Sequence, residues 1–136
     1  MNPNADAFVT TGPASNLTLN NYGGAGALAL SAAGSTQGEF QSVLRFDTSA
    51  SKIAFDGLYG AGMWSLQSAT LRLTAALPNN AIFNANSPGL FAVSWLQNDG
   101  WIEGTGTPNV PTTTGITFSS LQGSFINPML DEARQH

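Results

Sequence analysis

The chain has no cysteine, one histidine and few charges: four Lys or Arg against eight Asp or Glu in 136 residues, a formal net charge of −4. The absence of cysteine excludes a disulfide framework, a thiolate metal site and a cysteine nucleophile together, and leaves the redox compartment open. Arg45, Lys52, Arg72 and Arg134 are its cations. Four scattered cations make no basic surface able to neutralise several phosphates and release their counterions, which argues against nucleic acid as a partner. No apolar run approaches the roughly 18 residues needed to cross a bilayer, and Met1-Asn2-Pro3-Asn4 lacks the basic and apolar regions of a signal peptide. The histidine is residue 136, at the end of the sequence, where a rigid catalytic position is not expected.

What is present is a hydrophobic fraction of 42%, 15 glycines and seven prolines among many Thr, Ser and Asn residues. The length suits one domain spanning residues 1–136, and the bulky Leu, Phe, Val, Ile and Trp side chains suffice for a core. Few charges, abundant uncharged polar residues and no cysteine match the composition of exported bacterial β-domains. A secreted or cell-surface protein is therefore expected, its leader lying outside this stretch.

Apolar and polar residues alternate with period two in several short segments, the signature of strands that bury one side-chain row and wet the other. Strands are expected at residues 5–10, 27–31, 40–47, 68–75, 90–96 and 116–119. Within 40–47, Leu44 and Phe46 share one face; Val43, Arg45 and Asp47 share the other, so Arg45 is expected outward or paired. In 68–75, Ala69, Leu71 and Leu73 are expected inward. Phe91, Val93 and Trp95 share a face, which assigns Trp95 to the core. Lys52, Ile53, Phe55, Leu58 and Tyr59 have the spacing of a short helix near 50–60, stopped by Gly60-Ala61-Gly62. Pro78-Asn79-Asn80 reads as a turn and residues 81–89 as a surface loop onto which Ile82 and Phe83 fold back. Strands recurring every roughly 10 to 20 residues without long intervening helices point to an all-β fold, an antiparallel β-sandwich or jelly roll.

Taken in order, Asp6-Ala7-Phe8-Val9, Asn20-Asn21-Tyr22-Gly23, Gln41-Ser42-Val43-Leu44-Arg45-Phe46-Asp47, Ser68-Ala69-Thr70-Leu71-Arg72-Leu73 and Asn98-Asp99-Gly100-Trp101-Ile102-Glu103-Gly104 resemble the DNRLRE domain family. The resemblance covers residues 5–121, and 122–136 form a tail or a truncated connection. It implies a jelly-roll domain of secreted, often exosortase-sorted, bacterial surface proteins, similar to carbohydrate-binding modules. Some members of that group bind acidic polysaccharides and some carry calcium. In the family several more strands follow the tryptophan and Glu-Gly-Thr region, so the chain resembles the amino-terminal part of a domain. A sheet left without those strands has bare edges, and a homo-oligomer or a strand-completing partner is the expected remedy.

Tyr22 and Trp101 are the candidate sugar-stacking rings, since an aromatic face packs on the C–H face of a pyranose. Asn98 and Asp99 are placed to hydrogen-bond its hydroxyls. Arg45 and Arg72 together could grip a uronic acid carboxylate, the competing reading being pairs with Asp47, Glu39 or Glu103. For calcium, Asp6 is the leading ligand with Asn21 beside it, although both residue types equally cap turns. For catalysis, Asp99 and Glu103 are the carboxylate pair to consider, but neighbours on one loop need not face each other across a cleft. With no nucleophile elbow either, no catalytic residue is assigned and the chain is expected not to be an enzyme.

Overall fold

The computed structural model describes residues 1–74, 90–96 and 98–125. The turn at 78–80, the loop at 81–89, the last residue of the 68–75 segment and most of the tail lie outside the described residues. Strand β1 (Ala5–Thr10) pairs antiparallel with β2 (Phe40–Arg45), with Ala5 opposite Arg45 and Thr10 opposite Phe40. Helix α1 (Ser49–Tyr59) follows, and a short helix α2 (Phe118–Ser120) runs into a π-helical stretch, Leu121–Phe125. The described part is thus a two-stranded antiparallel sheet with few helices and much non-helical loop.

The alternation that predicts β1 and β2 does not leave one face wet, because both faces of the ribbon are covered. On one, Ala5, Ala7 and Val9 of β1 and Val43 of β2 pack with Trp101, Ile116 and Leu121. On the other, Phe8 packs with Tyr22 and Ala29, and Phe40 closes over them. The Phe8 and Tyr22 rings lie nearly parallel with centroids 4.8 Å apart, and Phe40 stands at 5.7 Å from Phe8, tilted by 44°. The face carrying Val43 and Arg45 is a core face: Val43 is buried, and Arg45, expected outward or paired, is half-buried and paired with backbone carbonyls.

Other expected strands take different forms. Residues 27–31 contribute one bridge, Ser31 to Phe40, beside which the Ser42 hydroxyl accepts from the Ala29 amide and donates to its carbonyl. That hydroxyl satisfies two backbone groups a full ladder would otherwise pair. Residues 116–119 become a helix start, because Thr117 and Ser120 form a reciprocal capping box and so hold the backbone in a turn. Residues 68–74 and 90–96 pair with no strand among the described residues, and Leu71, Leu73, Phe91 and Val93 are exposed rather than inward. Trp95, expected in the core, is 69% exposed, whereas Trp101 is 3% exposed.

One side chain joins the two long loops that flank the ribbon. Asn21 is 0% exposed. Its Nδ2 donates to the carbonyls of Glu103 (2.7 Å) and Ile116 (2.8 Å), and its Oδ1 accepts from the amides of Gly23 (3.2 Å) and Gly106 (3.1 Å). Two carbonyls on one side and two amides on the other admit a single orientation of the carboxamide. The Asn21 backbone amide also donates to Thr112 O, 2.7 Å away. Gly104 and Gly115, with φ of +80° and +105°, wrap the carboxamide closely; a Cβ at Gly104 would overlap Oδ1 and one at Gly115 would stand 2.6 Å from Nδ2. Asn21→Ala leaves several buried backbone groups without partners and is expected to lower unfolding free energy by about 3 kcal/mol. Urea denaturation checks this, with Asn20→Ala expected to change stability by less than about 1 kcal/mol because it removes one partly buried bond.

Candidate functional site

Four of the six residues expected to contact ligand come together, but they hold one another. Arg45 extends from the end of β2, and its Nη1 donates to the carbonyls of Asp99 (2.8 Å) and Trp101 (2.9 Å). The guanidinium carbon lies 5.1 Å from the centre of the Trp101 ring, a cation–π contact. The Asn98 Oδ1 accepts from Gly100 N at 3.0 Å, so the turn at 98–101 is fixed from inside by Asn98 and from outside by Arg45. Arg45 therefore meets carbonyl oxygens, not the carboxylates of Asp47, Glu39 or Glu103.

The expectation of sugar-stacking faces on Tyr22 and Trp101 is corrected by this packing. Trp101 is enclosed by the β1 core and Arg45, and Tyr22 is buried against Phe8 with its hydroxyl accepting from Asn20 Nδ2. Protein atoms occupy the ring faces a pyranose would need. Arg72 stands in the exposed stretch 68–74, not on a strand beside β2, so the two-strand arginine grip on a carboxylate is not formed. Asp6 is half-buried on β1 opposite Leu44. Asn21, its expected partner toward calcium, has both oxygen lone pairs engaged by amides, so a cation there would have to displace Gly23 or Gly106. No three His, Asp or Glu side chains converge among the described residues.

A different set of side chains forms an open groove of about 440 Å³ beside α1, lined by Phe55, Tyr59, Met63, Trp64, Leu66 and Gln67. The chain leaves α1 through Gly60 at φ +91°, which reverses it and lays Trp64 back along the helix. There the indole Nε1 donates to Asp56 Oδ1 at 2.8 Å and the ring meets Phe55 edge-on, centroids 5.0 Å apart and planes at 66°. Asp56 also pairs with Lys52, one helical turn earlier, at 2.5 Å. At the start of α1, Asp47 Oδ1 accepts from Ser49 N at 2.9 Å, favourable at a helix amino terminus. Bonding from Lys52, and next from the Trp64 indole, holds the Asp56 carboxyl below the ordinary carboxylate range. Ser49 does the same for Asp47. The sequence signal for this groove is slight: a tryptophan eight residues beyond an aspartate, with a glycine-rich helix stop between them.

No family model matches the chain, and comparison with curated proteins and with solved structures finds no match either.

Because the folded Asp56 carboxyl titrates below its unfolded value, its contribution is present above the ordinary carboxylate pKa of roughly 3.9 and is lost as pH falls through the lowered folded value. Acidification should therefore release Trp64 from α1. Carboxyl and indole resonances in NMR are expected to titrate together for Asp56 and Trp64, and the indole step should vanish in Asp56→Asn.

Proposed function

We propose that this chain is a noncatalytic, extracellular carbohydrate-binding or matrix-associated module of a bacterial surface protein. The observation that carries the reading is the groove beside α1, where a tryptophan fixed at its nitrogen and edge presents an aromatic wall between a tyrosine and uncharged polar side chains. Stacking of sugar C–H faces on rigid rings, with hydroxyls satisfied at the rim, is the chemistry such a groove offers. The ordered resemblance to DNRLRE domains and the exported-type composition support the same class. The rings expected from the sequence to stack, Tyr22 and Trp101, serve instead to hold the scaffold.

A second reading, that of a self-assembling structural module, draws on the period-two segments 68–74 and 90–96. Leu71, Leu73, Leu90, Phe91, Val93 and Trp95 are all exposed there. In this reading they supply further strands of an antiparallel sandwich or jelly roll that β1 and β2 begin, completed by a second copy or by another strand-donating partner. The two readings separate by experiment. Binding predicts saturable retardation on at least one gel of a polysaccharide panel with the chain monomeric. Assembly predicts light-scattering mass that rises with protein concentration in the absence of sugar, and Phe91→Lys with Val93→Lys should suppress that rise. Absence of retardation on every gel contradicts the binding reading, and a constant monomer mass contradicts the assembly reading.

A further inference from the structure

We infer that the groove beside α1 selects neutral saccharides and excludes uronic acids, an inference that rests on the carbohydrate-binding reading above. Its walls are Trp64, Phe55, Tyr59, Met63 and Leu66, and its polar lining is Ser65 and Gln67, so among the described residues no charged side chain lines it. A carboxylate resting there would meet apolar rings and neutral hydroxyl and amide groups without the cation that gives acidic sugars a charge-assisted bond.

The charges that stand nearest strengthen the exclusion. The Asp56 carboxylate holds the Trp64 indole nitrogen through one oxygen, and the Lys52 ammonium, a neighbouring cation among the described residues, is already bound to its other oxygen. Arg45, one of the two arginines expected to meet acidic sugars, is engaged by two carbonyls and the Trp101 ring. What remains free is suited to hydroxyls. Tyr59 is 63% exposed, and neither its hydroxyl nor the side chains of Ser65 and Gln67 bond to another described residue. The amide of Gln67 both donates and accepts, as do the hydroxyls, so each can follow the donor–acceptor pattern of a sugar hydroxyl.

The groove also has the rigidity that stacking requires. Trp64 cannot rotate without breaking its bond to Asp56 and its edge contact with Phe55, so little side-chain freedom is lost when a ring settles on it. Its volume of about 440 Å³ falls within the range of small-ligand clefts, roughly 300–1,000 Å³.

The test is affinity electrophoresis of the full chain through gels containing hydroxyethylcellulose, galactomannan or dextran as neutral polymers and polygalacturonate or alginate as acidic ones. Tyr59→Ala and Gln67→Ala are run beside the unaltered protein; both positions are exposed, and thermal denaturation verifies that the variants fold. Expected is saturable retardation by at least one neutral polymer, none by the acidic ones, and affinity lowered roughly fivefold to tenfold in each variant. Equal or stronger retardation by polygalacturonate or alginate overturns the neutral selectivity while leaving the carbohydrate reading in place. Neutral retardation unchanged in both variants overturns the groove as its site. No retardation on any gel removes both.

Discussion

The arrangement depends on the Asn21 carboxamide. Residues 101–117 form no strand or helix that could support themselves, so their course must be set by contacts to something else. Asn21 supplies these through both ends of its amide, reaching Glu103, Gly106 and Ile116 at once from a buried position. With those carbonyls and amides fixed, Trp101 and Ile116 are delivered to the face of β1 that Ala5, Ala7 and Val9 present. Trp101 then gives Arg45 a ring to cover, and Arg45 closes the turn at 98–101. Loop, core face and turn thus form a chain of dependence that begins with one polar side chain. A buried amide with every donor and acceptor matched can specify a loop conformation in a way apolar contacts, being non-directional, cannot.

Much of the local structure is legible in the sequence. The pattern of residues 5–10 and 40–47 identifies both strands, with β2 ending at Arg45 instead of Asp47, and the apolar spacing before Gly60 identifies α1. Alternation, however, states which residues share a face and not which face is buried. It therefore groups Phe91, Val93 and Trp95 as a row and gives no means of knowing that all three are exposed while Trp101, in a turn, is enclosed. For β2 the same ambiguity hid a core on both sides. The helix that Thr117 caps is not legible in the alternation, because a capping box competes with a short apolar run and local hydrogen bonding decides between them.

The site was less legible than the fold for a related reason. Aromatic and amide residues near turns are equally suited to ligand contact and to holding the turn, and Tyr22, Asn21, Asn98 and Trp101 all do the second. The residue type of Asn21 gave no hint of its role; the close glycines at 104, 106 and 115 were the available sign that something packs there without room for a Cβ. Conversely, Trp64 and Asp56 carried no motif. Their association follows from a helix that ends in a glycine-made reversal, which brings distant positions onto one surface.

Amide hydrogen exchange measured by NMR tests the central role of Asn21 most directly. The Gly23 and Gly106 amides both end on its side-chain oxygen and lie outside the β1–β2 ladder, Gly23 at the start of a single 3-10 turn, Gly23–Ala25, and Gly106 in a loop. If the carboxamide anchors those loops, both amides exchange as slowly as those of β1, opening only with the whole core. Exchange of Gly23 and Gly106 at the fast rate of the exposed amides of residues 68–71, with β1 still protected, would contradict the account.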